Sequence, residues 1–422
     1  PHVRTALTIP ANVRPPTGAR RQVVAFGMTL AFLSYLDRAC ISQAAPMIVR
    51  DLHFNTIQMG YIFSAFGITY AAMEIPSGWL IDRFGPRLVL TRVVICWSFF
   101  TAATGFAWNF ASMLMARLLF GAGEAGCFPG LAKTFSDWLP AEERARAEGW
   151  KASSARWGAG AAPLLMVALY ASLGWRATFV LFGAIGFVWA GFFYFLFRNR
   201  PDRGASIAAG RPPWRLFLRS RSAWALCLQW FCHFYGFYFY VTWLPTYLLE
   251  ARGVELKHGA ILSGLPLLSA GCGCLFAGYL LPPAARRWGI VRARRAFALV
   301  AYGGAALLLL LFTSIHDPNL AMMVMSLSSF VVELSAPVTW TTAMDLGGEW
   351  VGLLTGMMNT LGQLGGSVAP TVIGYLLAAL GNNWILAFYA SAALYALGGL
   401  CWLVLDPVKR LDRPATISGS GV

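Results

Sequence analysis

Gly78-Trp79-Leu80-Ile81-Asp82-Arg83-Phe84-Gly85-Pro86-Arg87 joins two apolar runs, residues 56–80 and 88–107. Each run is long enough to cross about 30 Å of hydrocarbon as a helix. The ten residues between them read as a tight, charged turn. Gly78 permits close helix contact, and Gly85-Pro86 redirects the chain. Arg83 and Arg87 hold the turn at a polar face. Asp82 is placed to pair with an Arg or a helix end on a neighbour.

The same alternation extends outward in both directions. The chain has 422 residues, of which 58% are hydrophobic and only 12% charged. Soluble globular proteins carry about a quarter charged residues. Apolar runs fall near 22–48, 56–80, 88–107, 110–136, 147–172, 176–197, 222–249, 259–281, 296–313, 319–342, 352–379 and 384–404. Backbone polar groups in lipid must be satisfied internally, and runs of this length are helices rather than barrel strands. The expected fold is an all-α polytopic membrane protein with twelve transmembrane spans in two six-helix bundles.

A basic, Pro-containing segment, 198–221, divides a first bundle (22–197) from a second (222–405), with polar tails at 1–21 and 406–422. The halves echo each other at an offset near 200 residues. Gly78-Trp79-Leu80 returns as Gly278-Tyr279-Leu280, and Pro163 with Gly174-Trp175 returns as Pro370 with Gly381 and Trp384. The second copy of the turn has Pro282 where an acid would sit, so gating ion pairs should be asymmetric.

The net charge of +15 does not indicate nucleic-acid binding. Twenty-six of the 33 Lys and Arg fall on the N-terminal side of the spans, including Lys133, Arg144, Arg146 and Lys151 between spans 4 and 5. That asymmetry is the positive-inside pattern and predicts cytoplasmic termini; Arg greatly outnumbers Lys, which suggests a bacterial genome and so an inner membrane. Residues 1–21 show no apolar core followed by a small-residue cleavage site. The eight cysteines form no metal-ligand pattern and read as small buried side chains, Cys272 and Cys274 included. No nucleotide loop or catalytic constellation occurs, so neither an enzyme nor a cofactor is expected.

Four charges interrupt the apolar runs: Asp37 and Arg38 in span 1, Arg117 and Glu124 in span 4. An ionised group at the bilayer centre costs at least roughly 2.5–3.5 kcal/mol, so such residues usually face a cavity. Arg117 and Glu124 lie on one helix face about 10 Å apart and cannot pair directly. The simplest arrangement sets Asp37 against Arg117 and Arg38 against Glu124 or the cavity; the alternative is a purely structural ion network. Glu74, one turn before Gly78, is expected to snorkel. Glu333 is deep enough in span 10 to serve as a second proton or substrate group, and His233 reads as a packed, hydrogen-bonded residue.

The 78–87 turn resembles the loop signature of the major facilitator superfamily, a six-plus-six repeat with its substrate site near the midplane. Tyr35-Leu36-Asp37-Arg38, the stretch Arg117 to Pro129 with Gly121, Gly123, Glu124 and Gly126, and Trp243-Leu244-Pro245-Thr246-Tyr247 resemble its anion:cation symporter family. That family includes bacterial galactonate, glucarate and hexuronate transporters, sialin and the vesicular glutamate transporters. The resemblance implies Arg38 as ligand to a substrate carboxylate, Asp37 and Glu124 as proton carriers, and Arg117 as partner to one of them. It also places Tyr35, Tyr70, Asn359 and Trp340 on the cavity. Two departures stand out. Ala155 replaces a hydroxyl-binding Gln, and Pro86 replaces a base.

Arg156, beside Ala155, is an extra cation. Either it binds a second anionic group, of a dicarboxylate or phosphorylated substrate, or it reaches toward the cytoplasmic end of its helix, Asp82 or Glu148. The expected protein is a monomeric carrier in the lipid bilayer. It would couple protons to symport of a small organic anion by alternating access. The alternatives are an anion exchanger, such as an organophosphate/phosphate or dicarboxylate antiporter, and a non-transporting sensor of the same fold.

Overall fold

The computed structural model describes residues 17–199, 212–244, 247–248, 251–253, 256–379 and 384–411. Outside them lie most of the N-terminal tail, the 200–211 part of the central segment, Pro245, Thr246, Gly381 and residues 412–422. The bases Arg4, Arg14, Arg200, Arg203, Arg211 and Arg413 lie there too.

The described elements are helices: α1 Thr17–Leu52, α2 Thr56–Phe84, α3 Pro86–Gly105, α4 Phe110–Glu124, α5 Cys127–Trp138, α6 Ala141–Leu196 and the short α7 Trp214–Arg219. The second half holds α8 Arg221–Thr242, α9 Leu256–Trp288, α10 Ile290–Thr313, α11 Pro318–Glu333, α12 Ser335–Gly347, α13 Val351–Ala379 and α14 Trp384–Val404. Three glycine-dependent features convert these helices into twelve membrane-length stretches among the described residues. Gly174, with φ 74°, folds α6 back on itself and makes two stretches of one. Gly126, with φ 93°, separates α4 from α5 inside a single stretch. Gly85 and Gly289, with φ 79° and 82°, open α3 and α10 in the same way in each half. All these backbones are left-handed, a conformation that glycine adopts without a Cβ clash.

Among the described residues, seven helical segments are long and apolar enough to cross a membrane by length and composition alone, Thr17–Leu52 and Ile290–Thr313 included. The others are broken short or carry buried polar side chains, as α2 does with Glu74 and Asp82. The outward faces are apolar, with Phe195, Leu307 and Met323 exposed. Polar loop caps are local: Asn55 accepts from the Gln58 amide, and Asn109 from that of Ser112.

Within the first half, α1 and α3 pack on α6; within the second, α8 packs on α13 and α10 on α14. Between halves, α2 lies against α13 and α6 against α9. Glycines set both contacts. A Cβ on Gly78 would strike the Gly352 carbonyl, and one on Gly149 would sit 3.1 Å from the Gly278 Cα. The two crossings are therefore backbone on backbone.

Both ends of the described chain lie at one end of the bundle. Arg20 pairs with Glu143 at the start of α6, the Leu411 amide donates to the Leu346 carbonyl at 2.9 Å, and Arg294 donates to the Pro407 carbonyl at 2.7 Å. This basic end also joins the halves. Asp345 of α12 accepts from Arg144 of α6 at 2.9 Å and from Arg294 of α10 at 2.5 Å.

Candidate transport site

A cavity of about 30 Å³ lies between the halves. It holds roughly two waters, so the halves are drawn tightly together around it. Tyr35 and Arg38 of α1, Tyr70 of α2, Phe128 of α5 and Ala155 and Arg156 of α6 form one wall. Trp230 of α8, Trp340 of α12 and Asn359 and Gln363 of α13 form the other.

Arg38 is the centre of the first wall. Its Nε donates to Glu124 Oε1 at 2.9 Å, and Ser34 Oγ donates to the same oxygen. Its guanidinium lies 4.4 Å from the Tyr70 ring centroid and 5.1 Å from those of Tyr35 and Phe66, an aromatic seat suited to a planar cation. Its Nη2 is buried with no hydrogen-bond partner among the described residues. Glu124 is fully buried and is the last residue of α4, so the turn at Ala125 and Gly126 fixes where its carboxylate points.

Asp37 and Arg117 are also buried but stand behind the cavity wall. Asp37 lies in the field of both Glu124 and Arg117, yet no Asp37–Arg117 ion pair within 4 Å occurs among the described residues. The Arg117 guanidinium instead faces the Phe120 ring at 4.3 Å.

Arg156 lines the cavity, and its ion pair among the described residues is with Glu333 rather than with Asp82 or Glu148. Its Nε and Nη2 donate to Glu333 Oε1 of the other half, at 2.9 and 2.5 Å, and Nη1 donates to the Tyr35 hydroxyl at 3.3 Å. Cys274 Sγ donates to the second Glu333 oxygen at 3.2 Å, and His233 Nε2 stands 3.5 Å from the first. His233 is stacked on Trp230 at 4.6 Å.

Glu74 does not snorkel. The helix continues ten residues past it to Phe84, which carries its carboxylate to the seam between halves, fully buried. There it accepts from Asn359 Nδ2 at 3.0 Å, while the same amide reaches the Tyr70 hydroxyl at 3.3 Å. The Asn359 carbonyl oxygen accepts from Trp230 Nε1 at 3.3 Å.

Lys151 belongs to the cavity rather than to a basic loop. It is 1% exposed, pairs with buried Glu148 one turn earlier, and its Nζ lies 4.0 Å from the Trp340 ring centroid. Lys133 is likewise buried, pairing with Asp137 at 3.0 Å. Cys272 is exposed and Cys274 buried, so the expectation of buried thiols fails at Cys272.

At the basic end, Asp82 finds a helix terminus. Its two oxygens accept from the Gly352 and Leu353 amides at 2.8 and 2.7 Å, at the first turn of α13. A carboxylate at these otherwise unpaired N–H groups is a charge-assisted anchor between halves. Arg87 stays within the first half, donating to the Tyr194 carbonyl at 2.7 Å, and Arg83 lies over the Trp79 ring at 5.2 Å.

The sequence profile described as Major Facilitator Superfamily matches residues 27–370. The chain belongs to that superfamily. It is an all-α polytopic membrane protein of twelve transmembrane helices in two six-helix bundles, and a transporter rather than an enzyme. This superfamily member is 34% identical to the probable sulfoacetate transporter SauU of Cupriavidus necator, over 95% of this chain and 97% of that one. It is 30% identical to the probable galactarate/D-glucarate transporter GarP of Escherichia coli K12, over 90% and 93%. The crystal structure of the human organic anion transporter MFSD10 superimposes with a TM-score of 0.75 at 18% identity, over 92% of this chain and 100% of that one. That likeness concerns the fold. The relatives match the sugar-acid transporter family that residues 35–38 and 117–129 resemble.

Proposed function

We propose that this carrier couples protons to the uptake of a small organic anion, a sugar acid or a related carboxylate or dicarboxylate. The observation that supports this most directly is the Arg38–Glu124 pair on the cavity wall, with Arg38 Nη2 left over as a buried, unused donor. Protonation of Glu124 weakens its hold on Arg38, whose fork then accepts a substrate carboxylate in bidentate fashion. Asp37, in the field of Glu124, is the second proton carrier, and Arg117 limits the cost of holding it charged. Tyr35, Tyr70, Trp340 and Asn359 bound the substrate. The loaded bundles, 22–197 and 222–405, rock about the Gly78–Gly352 and Gly149–Gly278 crossings, with Asp82 latching the basic end. Arg83 and Arg87 fix the gating turn.

One chain supplies both walls of the cavity, which fits a carrier working as a monomer. Its basic end, where both ends of the described chain lie, would face the cytoplasm of a bacterial inner membrane. The relatives' names give the first substrates to try: galactarate, glucarate and sulfoacetate, all dianions at neutral pH. In proteoliposomes, uptake of such an anion should follow an imposed inward proton gradient. Gradient-independent uptake stimulated by internal anion would mark exchange instead.

A further inference from the structure

We propose a second anion subsite at Arg156, capped by Glu333, so that a substrate with two anionic groups displaces the cap and breaks this tie between the two halves. The inference rests on the anion-carrier reading above and adds a substrate class and a trigger.

The geometry supports a two-point site. The Arg38 and Arg156 guanidinium carbons lie 5.1 and 5.8 Å from the same Tyr35 ring centroid, so the two cations stand within about 11 Å of each other. Both line the cavity. A short dianion can therefore be held from Arg38 at one end and Arg156 at the other, with Tyr35 between them. The second cation carries more charge than a monoanion needs, and burying a cation without a counter-charge is costly.

Glu333 supplies that counter-charge, and it comes from the opposite half. The contrast with Lys151 is informative. Lys151 is neutralised by Glu148 on its own helix, a pair indifferent to how the halves move. Arg156 of α6 is neutralised by Glu333 of α11 at 2.9 and 2.5 Å, a pair that ties one half to the other beside the cavity. An incoming second anionic group competes for the same guanidinium N–H donors. The displaced carboxylate is not stranded, since Cys274 Sγ at 3.2 Å and His233 Nε2 at 3.5 Å remain beside it. A monoanion anchored on Arg38 leaves the Arg156–Glu333 tie in place. Dianion binding and the loss of this tie thus become one event.

The test is calorimetric binding to the purified full chain in detergent, using two matched pairs: galactarate with galactonate, and sulfoacetate with methylsulfonylacetate. In wild type, the dianion of at least one pair should bind tenfold or more tightly than its monoanion. In Glu333→Gln, which uncaps Arg156, dianion affinity should rise about tenfold. In Arg156→Gln/Glu333→Gln, which leaves no buried charge unpaired, the preference should shrink below threefold while monoanion binding persists. Should that double variant fail to fold, Arg156→Lys replaces it, with at least a threefold loss of preference expected. An unchanged preference in either variant, or an unchanged dianion affinity in Glu333→Gln, overturns the subsite alone. If wild type binds none of the four compounds, the anion-carrier reading falls and the subsite with it.

Discussion

Glu124 and Glu333 occupy matching places in the two halves: each is the last residue of a helix, α4 or α11, that stops at midspan. Each holds an arginine, but the partners differ in kind. Glu124 takes Arg38 from its own half, and Glu333 takes Arg156 from the other. Two carboxylates in equivalent positions thus differ in reach, one pairing within its half and the other bridging to the opposite half. Both acids are followed within five residues by a proline, Pro129 or Pro337, inside the next helix.

Glu124→Gln removes the titratable group beside Arg38 and keeps its shape. Gradient-driven uptake in proteoliposomes should fall at least tenfold, while binding measured by calorimetry changes much less. Equal losses in both would argue against a proton role for Glu124.

Arg38→Lys keeps the charge but loses the planar fork and its seat among Tyr35, Phe66 and Tyr70. Substrate affinity should drop about tenfold or more, roughly 1.4 kcal/mol, and Arg38→Gln should drop it further. Titration of the same anion against all three proteins settles the order.

Asp82→Ala deletes the side chain that bonds the Gly352 and Leu353 amides. Hydrogen bonds to a charged group are worth about 1.5–3 kcal/mol. Amide exchange at the start of α13 should therefore quicken by one to two orders of magnitude, with α3 unaffected. Unchanged exchange would mean that the anchor contributes nothing to closing the basic end.

Gly352→Val and Gly149→Val each force a side chain into a backbone crossing. Uptake should fall more than tenfold in both, because the packing between halves admits no Cβ at either place. Gly303→Val, at a site with open space around it, is the control and should transport normally.

Much of the fold was readable because length and apolarity leave helices few alternatives in lipid. The turn at Gly174 and the Gly78/Gly278 echo were visible for the same reason: glycine marks them in the chain. Lys151 was not readable. It follows Glu142, Glu143, Arg144, Arg146 and Glu148, a charged run that resembles a loop, and only the approach of Phe128 of α5 and Trp340 of α12 encloses it. Glu74 was misplaced because the apolar run fades before the helix does, and α2 extends to Phe84. Arg156 was recognised as an extra cation, but its partner sits 177 positions away in the other half, beyond the reach of any local pattern.

The paired glycine crossings have a mechanical corollary. Where Gly78 meets Gly352 and Gly149 meets Gly278, backbone lies directly on backbone, so parting at these points strands no rotamer; the side-chain grip comes from flanking contacts, Asp82 on the Gly352 amide and Trp150 on the Tyr279 hydroxyl. Such joints can cycle without wear: each reopening presents the same bare surfaces that met before.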